Sequence, residues 1–237
     1  MQLTSYYQLI IPVVIIAIAV LCVKLRKLTL SGGVMAAIVA LLVAAGSGYG
    51  GLFLLGAFFI MGVKATSHQR HLKTLPGEKH PEQRTAGQVF ANGGVAAIMG
   101  LLALVNPDCE DMYITMLAAS LAAATADTLS SELGMVYGRH FYNIVTFKKE
   151  ARGLDGVISL EGTLLGAAGA GVLALLCGIC FGMDESVWIV ALAGIAGNLA
   201  DSLLGATLER KHLIGNDLVN FGNTLFAALV AMICYLL

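Results

Sequence analysis

An all-α, polytopic membrane bundle of about eight helices is predicted by three features of the chain: long apolar runs, cations confined to one side of them, and carboxylates recurring inside them. Hydrophobic residues make up 58% of the 237 and charged residues 12%, against about 25% charged in soluble domains. At about 20 residues per crossing, helices are expected at roughly 5–23, 31–47, 50–64, 87–105, 113–135, 157–181, 187–208 and 217–236. The whole chain, 1–237, then reads as one integral membrane domain, since the longest polar stretch, 65–86, is too short to bury a core.

The 14 Lys and Arg residues fall into four segments: Lys24, Arg26 and Lys27; Lys64, Arg70, Lys73, Lys79 and Arg84; Arg139, Lys148, Lys149 and Arg152; Arg210 and Lys211. The positive-inside rule assigns all four to the cytoplasm and puts both termini outside. The first span, with no basic residues before it and Lys24 to Lys27 after it, reads as an anchor rather than a cleaved signal. The net charge of −1 reflects segregation, because Asp108, Glu110, Asp111, Asp184 and Glu185 sit on the opposite side. That pattern suits a membrane, with anionic lipid headgroups meeting Arg70, Lys73, Lys79 and Arg84, and no nucleic acid partner. Oligomeric state is left open, a homo-oligomer included.

Cysteine and histidine add little. Cys177 and Cys180 form a C-x-x-C inside an apolar helix without a second pair, which is the pattern of small-residue packing. His68, His71 and His80 are too loosely spaced for a zinc site.

Repeats are more informative. The fifth and seventh spans carry Ala126-Asp127-Thr128-Leu129 and Ala200-Asp201-Ser202-Leu203 in the same direction. Each Asp lies about 14 residues, or roughly 20 Å, from the outer helix end, so the two carboxylates are expected at one depth in the cytoplasmic half of the bilayer. The even spans begin alike, at Ser31-Gly32-Gly33-Val34, Asn92-Gly93-Gly94-Val95, Glu161-Gly162-Thr163 and Asn223-Thr224. A helical hairpin used four times is implied, the first copy serving as scaffold.

A carboxylate inside a bilayer persists only with a partner or a function. Asp127, Glu132, Glu161 and Asp201 qualify. Asp127 and Ser131 share a helix face, while Glu132 is turned away toward the headgroups. Asn198 and Asp201 form a stripe with Gly205 leaving room beside it for a bulky group, and Asp217, Asn220 and Thr224 or Asn223 form another. Oxygen ligands of this kind suit Mg²⁺ held jointly with phosphate. The Asp pair is otherwise a structural hydrogen-bonded pair, Glu161 a helix N-terminal cap, the Asn residues interhelical glue, and Lys148, Lys149 and Arg152 topology determinants. No Walker-type phosphate loop is present.

Four blocks carry a resemblance: Ala126-Asp127-Thr128-Leu129-Ser130-Ser131-Glu132-Leu133-Gly134; Arg152-Gly153-x-Asp155-Gly156-Val157-x-Ser159-x-Glu161-Gly162-Thr163; Gly197-Asn198-x-x-Asp201-Ser202-x-x-Gly205-Ala206; and Asn216-Asp217-x-x-Asn220-x-x-Asn223-Thr224. Over roughly 24–237 the chain resembles an integral-membrane family, long of unknown function, that includes the plant phytyl-phosphate kinase. Ser159 to Thr163 is also similar to an element of dolichol and phytol kinases and, more distantly, of CDP-diacylglycerol synthases, although Ile158 stands where those often carry Lys.

The resemblance implies phosphoryl transfer from CTP or another NTP to a prenyl monophosphate at a site facing the cytoplasm, in the inner membrane of a prokaryote. It would place Asp127, Asp201, Asn198 and Asn223 on Mg²⁺, with Glu161 orienting a phosphate or a second metal. Lys148, Lys149, Arg152, Ser159, Thr163 and Asn220 would hold nucleotide phosphates, with Glu132, Ser131, Asp155, Asp217 and Asn92 as further candidates. A cytidylyltransferase making a CDP-lipid, or a cation or lipid-phosphate carrier, draws on the same ingredients.

Overall fold

The computed structural model describes residues 2–73 and 83–237, with side chains from residue 10 onward; Lys79 and His80 lie outside the described residues. The helices are α1 (Gln2–Lys24), α2 (Leu30–Ser67), α3 (Ala86–Val105), α4 (Glu110–Tyr137), α5 (Leu160–Phe181), α6 (Ser186–Leu204, extended by a π-turn at Gly205–Glu209) and α7 (Asn216–Leu236). Among the described residues, six helices are long and apolar enough to cross a membrane, and Ile10–Lys24 forms a shorter apolar helix. The protein is a polytopic helical membrane protein.

The expected spans 31–47 and 50–64 form one segment, α2, broken at Gly48, whose φ of 59° and ψ of −147° lie outside helical space. Only glycine adopts such a conformation without cost. A straight helix of that length would run about 57 Å, yet Gly32 packs on the Arg84 carbonyl and Gly62 on the Arg84 guanidinium. The two ends therefore meet, and α2 is a hairpin.

Local chemistry sets the helix starts. Thr29 accepts from Gly32 N at 3.0 Å to cap α2. Thr85 and Gln88 form a reciprocal capping box at α3. Ser159 accepts from Gly162 N at 3.1 Å to cap α5, so α5 begins at Leu160 rather than 157. Val157–Ile158 (β2) pairs instead with Tyr142–Asn143 (β1) in a short antiparallel ladder.

The core is organised around α4, where every residue from Ile114 to Ala126 is buried. Most of these are Ala, Ser or Thr, and glycines on the neighbours exploit that smallness. Gly166 of α5 sits on the Ala126 carbonyl, Gly162 against Gly134, and Gly197 of α6 against Ala123 and Asn223. Backbones that close are how membrane helices gain dispersion energy. They also bring the polar positions of α4, α6 and α7 together at one end of the bundle.

Candidate functional site

At the end that carries the basic residues, a cavity of about 560 Å³ is lined by α2, α3, α4, α6, α7 and the loop before α5. The Asp127 and Asp201 carboxyl groups meet across it within hydrogen-bonding reach. Two carboxylates in contact cannot both remain bare anions, so a shared proton or a cation belongs between them. Glu132 and Glu209 also act electrostatically on Asp127, and Asp155 on Asp201. Arg84 opposes this charge, being drawn to Glu132 and Asp127.

Asn223, fully buried on α7, donates Nδ2 to Asp201 Oδ2 at 3.4 Å. Its Oδ1 is buried without a hydrogen-bond partner, an omission worth about 1–3 kcal/mol in an ordinary protein interior. Asn198 is buried one turn before Asp201 and lines the cavity. Among the described residues no group of three His, Cys, Asp or Glu side chains is placed to hold a metal alone. Two carboxylates with amide oxygens nearby fit a hard cation that takes its remaining ligands from phosphate and water.

The expected residues divide cleanly. Asp127, Ser131, Glu132, Asp155, Ser159, Asn198, Asp201, Asn220 and Asn92 line the cavity. Glu132 does not turn to the headgroups: it accepts from Lys73 Nζ at 2.8 Å. Glu161 lies outside the lining, on the first turn of α5, where Arg139 approaches it at 4.0 Å. Thr163 donates to the Ser159 carbonyl at 2.9 Å. Asp217 packs against Gly87 rather than facing Asp201. Thr224 bonds the Ala91 and Phe221 carbonyls, fastening α7 to α3. The room expected beside Gly205 is filled by the Gly156 backbone.

Lys148, Lys149 and Arg152 are exposed and lie outside the cavity lining, Arg152 donating to the Met135 carbonyl at 3.2 Å. Their loop is held by Arg210, which donates Nη2 to Glu150 at 2.6 Å and Nε to the Asp155 carbonyl at 2.6 Å. That hydrogen bond holds the Glu150 carboxyl below the usual range. Gly156, at φ 67°, lies directly on Ala206, a contact that no residue with a Cβ tolerates. Replacing Arg210 by Ala is expected to free this loop and raise the tryptic cleavage rate at Lys148, Lys149 and Arg152 on the order of tenfold. Equal cleavage of variant and parent in a timed digest would contradict the clamp.

The cavity's cations come from elsewhere: Lys27, Arg70, Lys73 and Arg84. Backbone pairing positions two of them, since Thr29 N donates to the Arg84 carbonyl and Arg84 N to the Lys27 carbonyl, both at 3.0 Å. Sequence reasoning assigned Arg70, Lys73 and Arg84 to headgroups. The signal that could have found them is their position in the loop joining the first two hairpins, opposite the Asp-bearing ones.

Residues 13–228 match the family described as "Integral membrane protein DUF92". The chain belongs to this family. It is 33% identical over 230 residues to the uncharacterized membrane protein MJ0933 of Methanocaldococcus jannaschii, covering 96% of this chain and 94% of that one. It is 30% identical over 195 residues to the chloroplastic protein VTE6 of Arabidopsis thaliana, covering 78% of this chain and 59% of VTE6. Protein PGR of the same plant is 30% identical over 238 residues, covering 88% and 82%. No solved structure matches the chain.

Proposed function

We propose that this DUF92 protein is a membrane-embedded kinase that transfers the γ-phosphoryl group of CTP or another nucleoside triphosphate to a prenyl monophosphate, yielding the prenyl diphosphate. The observation that carries this reading is one cavity in which two touching carboxyl groups face four cations. The motif blocks shared with the family of the plant phytyl-phosphate kinase, and the similarity to VTE6, support the reaction class. The working face is the cytoplasmic side, in a prokaryotic inner membrane.

In this reading Asp127 and Asp201, with Asn198 and Asn223, would hold Mg²⁺, which would supply positive charge against the transferring phosphoryl group. Lys27, Arg70 and Arg84 take the remaining phosphate charge. Lys73, committed to Glu132 and two carbonyls, fixes the wall from which they work. An oxygen of the acceptor phosphate attacks Pγ, the bond from Pγ to the β,γ-bridging oxygen breaks, and the nucleoside diphosphate leaves with that electron pair. The attacking oxygen is already anionic, so no strong general base is needed. Phosphoryl transfer asks mainly for positioning and charge neutralisation, which is what this cavity offers.

The test is purified protein with γ-labelled CTP, Mg²⁺ and phytyl or geranylgeranyl monophosphate. Label is expected in the prenyl diphosphate. Label reaching lipid from the α-phosphate instead would identify a cytidylyltransferase, and uptake of the prenyl phosphate by proteoliposomes without any transfer would identify a carrier.

A further inference from the structure

A second cavity, of about 430 Å³, runs between α1, both arms of the α2 hairpin and α3. Its walls are almost wholly apolar, with Val14 and Ile18 from α1, Val39 from the first arm of α2, and Leu55 and Phe59 from the second. Two residues line both this groove and the polar cavity: Arg84 and Asn92. The Arg84 guanidinium lies 5.8 Å over the Phe58 ring, a cation placed where the apolar groove meets the anion-binding space. The groove's other end is marked by Tyr49, beside the Gly48 turn. From Gly62, which packs on Arg84, to Tyr49 is about 20 Å along a helix, the length of about four isoprene units at roughly 5 Å each from C–C bond geometry.

We propose that this groove holds the isoprenoid tail of the prenyl monophosphate, with Arg84 and Asn92 at the junction where the phosphate passes into the polar cavity. The inference rests on the kinase reading for the identity of the headgroup. Three features fit this occupant. A single-chain amphiphile with an anionic head and one extended, methyl-branched apolar body matches one cation at the mouth and a hydrophobic channel behind it. The channel is of ordinary ligand-pocket size. Its α1 wall is open to lipid, Ile10, Val14 and Ile18 each being about half exposed, so a tail can enter sideways without crossing water. The first hairpin then measures substrate length as well as supporting the bundle.

Gly56 offers a direct probe. It lines the groove, and a Cβ added there meets nothing within 4 Å, so Gly56→Leu projects into the channel without a backbone clash. Gly171 on α5 is equally open and lies outside the groove, making Gly171→Leu the matched control. The protein in phosphatidylcholine nanodiscs, without nucleotide, is photolabelled with geranylgeranyl monophosphate or dimethylallyl monophosphate bearing a terminal diazirine, and the adducts are mapped by mass spectrometry. Geranylgeranyl adducts are expected on 10–22 and 36–59. Gly56→Leu should cut them on the order of tenfold, a single methylene in a hydrophobic pocket being worth about 10- to 200-fold, and should leave dimethylallyl labelling within about twofold, because a one-unit tail of about 5 Å stops short of Gly56, about 9 Å from Gly62 along the helix. Gly171→Leu should change neither.

Adducts confined to α5, α6 or α7, an unaltered Gly56→Leu pattern, or competition by dioleoyl phosphatidic acid as strong as by unlabelled geranylgeranyl phosphate would each overturn the proposal. Groove labelling without any phosphoryl transfer sinks the kinase and keeps the tail site. Transfer with labelling elsewhere does the reverse.

Discussion

Asp127→Asn and Asp201→Asn are each expected to lower phosphoryl transfer by at least about 10²- to 10³-fold, the scale on which one preorganised electrostatic group contributes to catalysis. The reason is specific to their contact. Either substitution removes half of a carboxyl pair that meets across the cavity, and with it the charge proposed to hold Mg²⁺. Asn keeps the volume and the hydrogen-bonding capacity, and relieves carboxylate repulsion, so folding is expected to survive or improve. Activity is measured with saturating nucleotide over a Mg²⁺ titration, beside size-exclusion profiles in detergent. If either variant retains more than about a tenth of parental activity, the pair is structural and the metal assignment falls.

Lys73→Met is expected to destabilise the protein by about 2–3 kcal/mol, below the full range for broken buried ion pairs because Glu132 is 27% exposed. Lys73 is 4% exposed and its Nζ donates to the carbonyls of Ala65 at 2.5 Å and Thr66 at 3.3 Å as well as to Glu132. Those carbonyls belong to the last turn of α2, where Ala65 otherwise accepts only from His68 N at 3.2 Å and the negative end of the helix dipole lies. One ammonium therefore caps a helix and neutralises a carboxylate on α4. A loss of that size corresponds to a fall in melting temperature of about 5–10 °C for a chain of this length. Adding Glu132→Gln to Lys73→Met should recover part of it, since the stranded charge is then gone. Identical melting of Lys73→Met and parent would show the pair to be incidental.

Much of the bundle was legible before any coordinates. Helix positions agree within a few residues for α3, α4, α6 and α7 because insertion into a bilayer is decided locally, by the apolar content of about 20 residues at a time. The matched depth of Asp127 and Asp201 was legible for the same reason, being a count of residues along two parallel helices. The hairpin turn of α2 was legible as two spans but not as a single broken helix, since that depends on the one left-handed residue, Gly48.

The cationic side of the cavity was not legible. Lys148, Lys149 and Arg152 precede the Ser159 to Thr163 element closely in the chain, which made them the natural phosphate ligands. Their loop is instead turned outward by the β1–β2 ladder and pinned by Arg210, so proximity along the chain became separation in space. Lys73 and Arg84 travel the other way: far from the Asp motifs in sequence, they are carried to them when the α2 hairpin and α3 pack on α4. Glu132 was misjudged because its helical angle from Asp127 was measured against one face, whereas the cavity wraps around that end of α4.

What the chain alone determined is therefore its class, the gathering of its cations at one end and the depth of its acids, because membrane partitioning is a sum over neighbouring residues and needs no knowledge of the fold. Which cations confront those acids, and that an apolar channel shares Arg84 and Asn92 with them, was decided only in three dimensions. Those facts depend on the path of loops and on how closely small residues let helices approach, and both are properties of the packed bundle rather than of any segment in it.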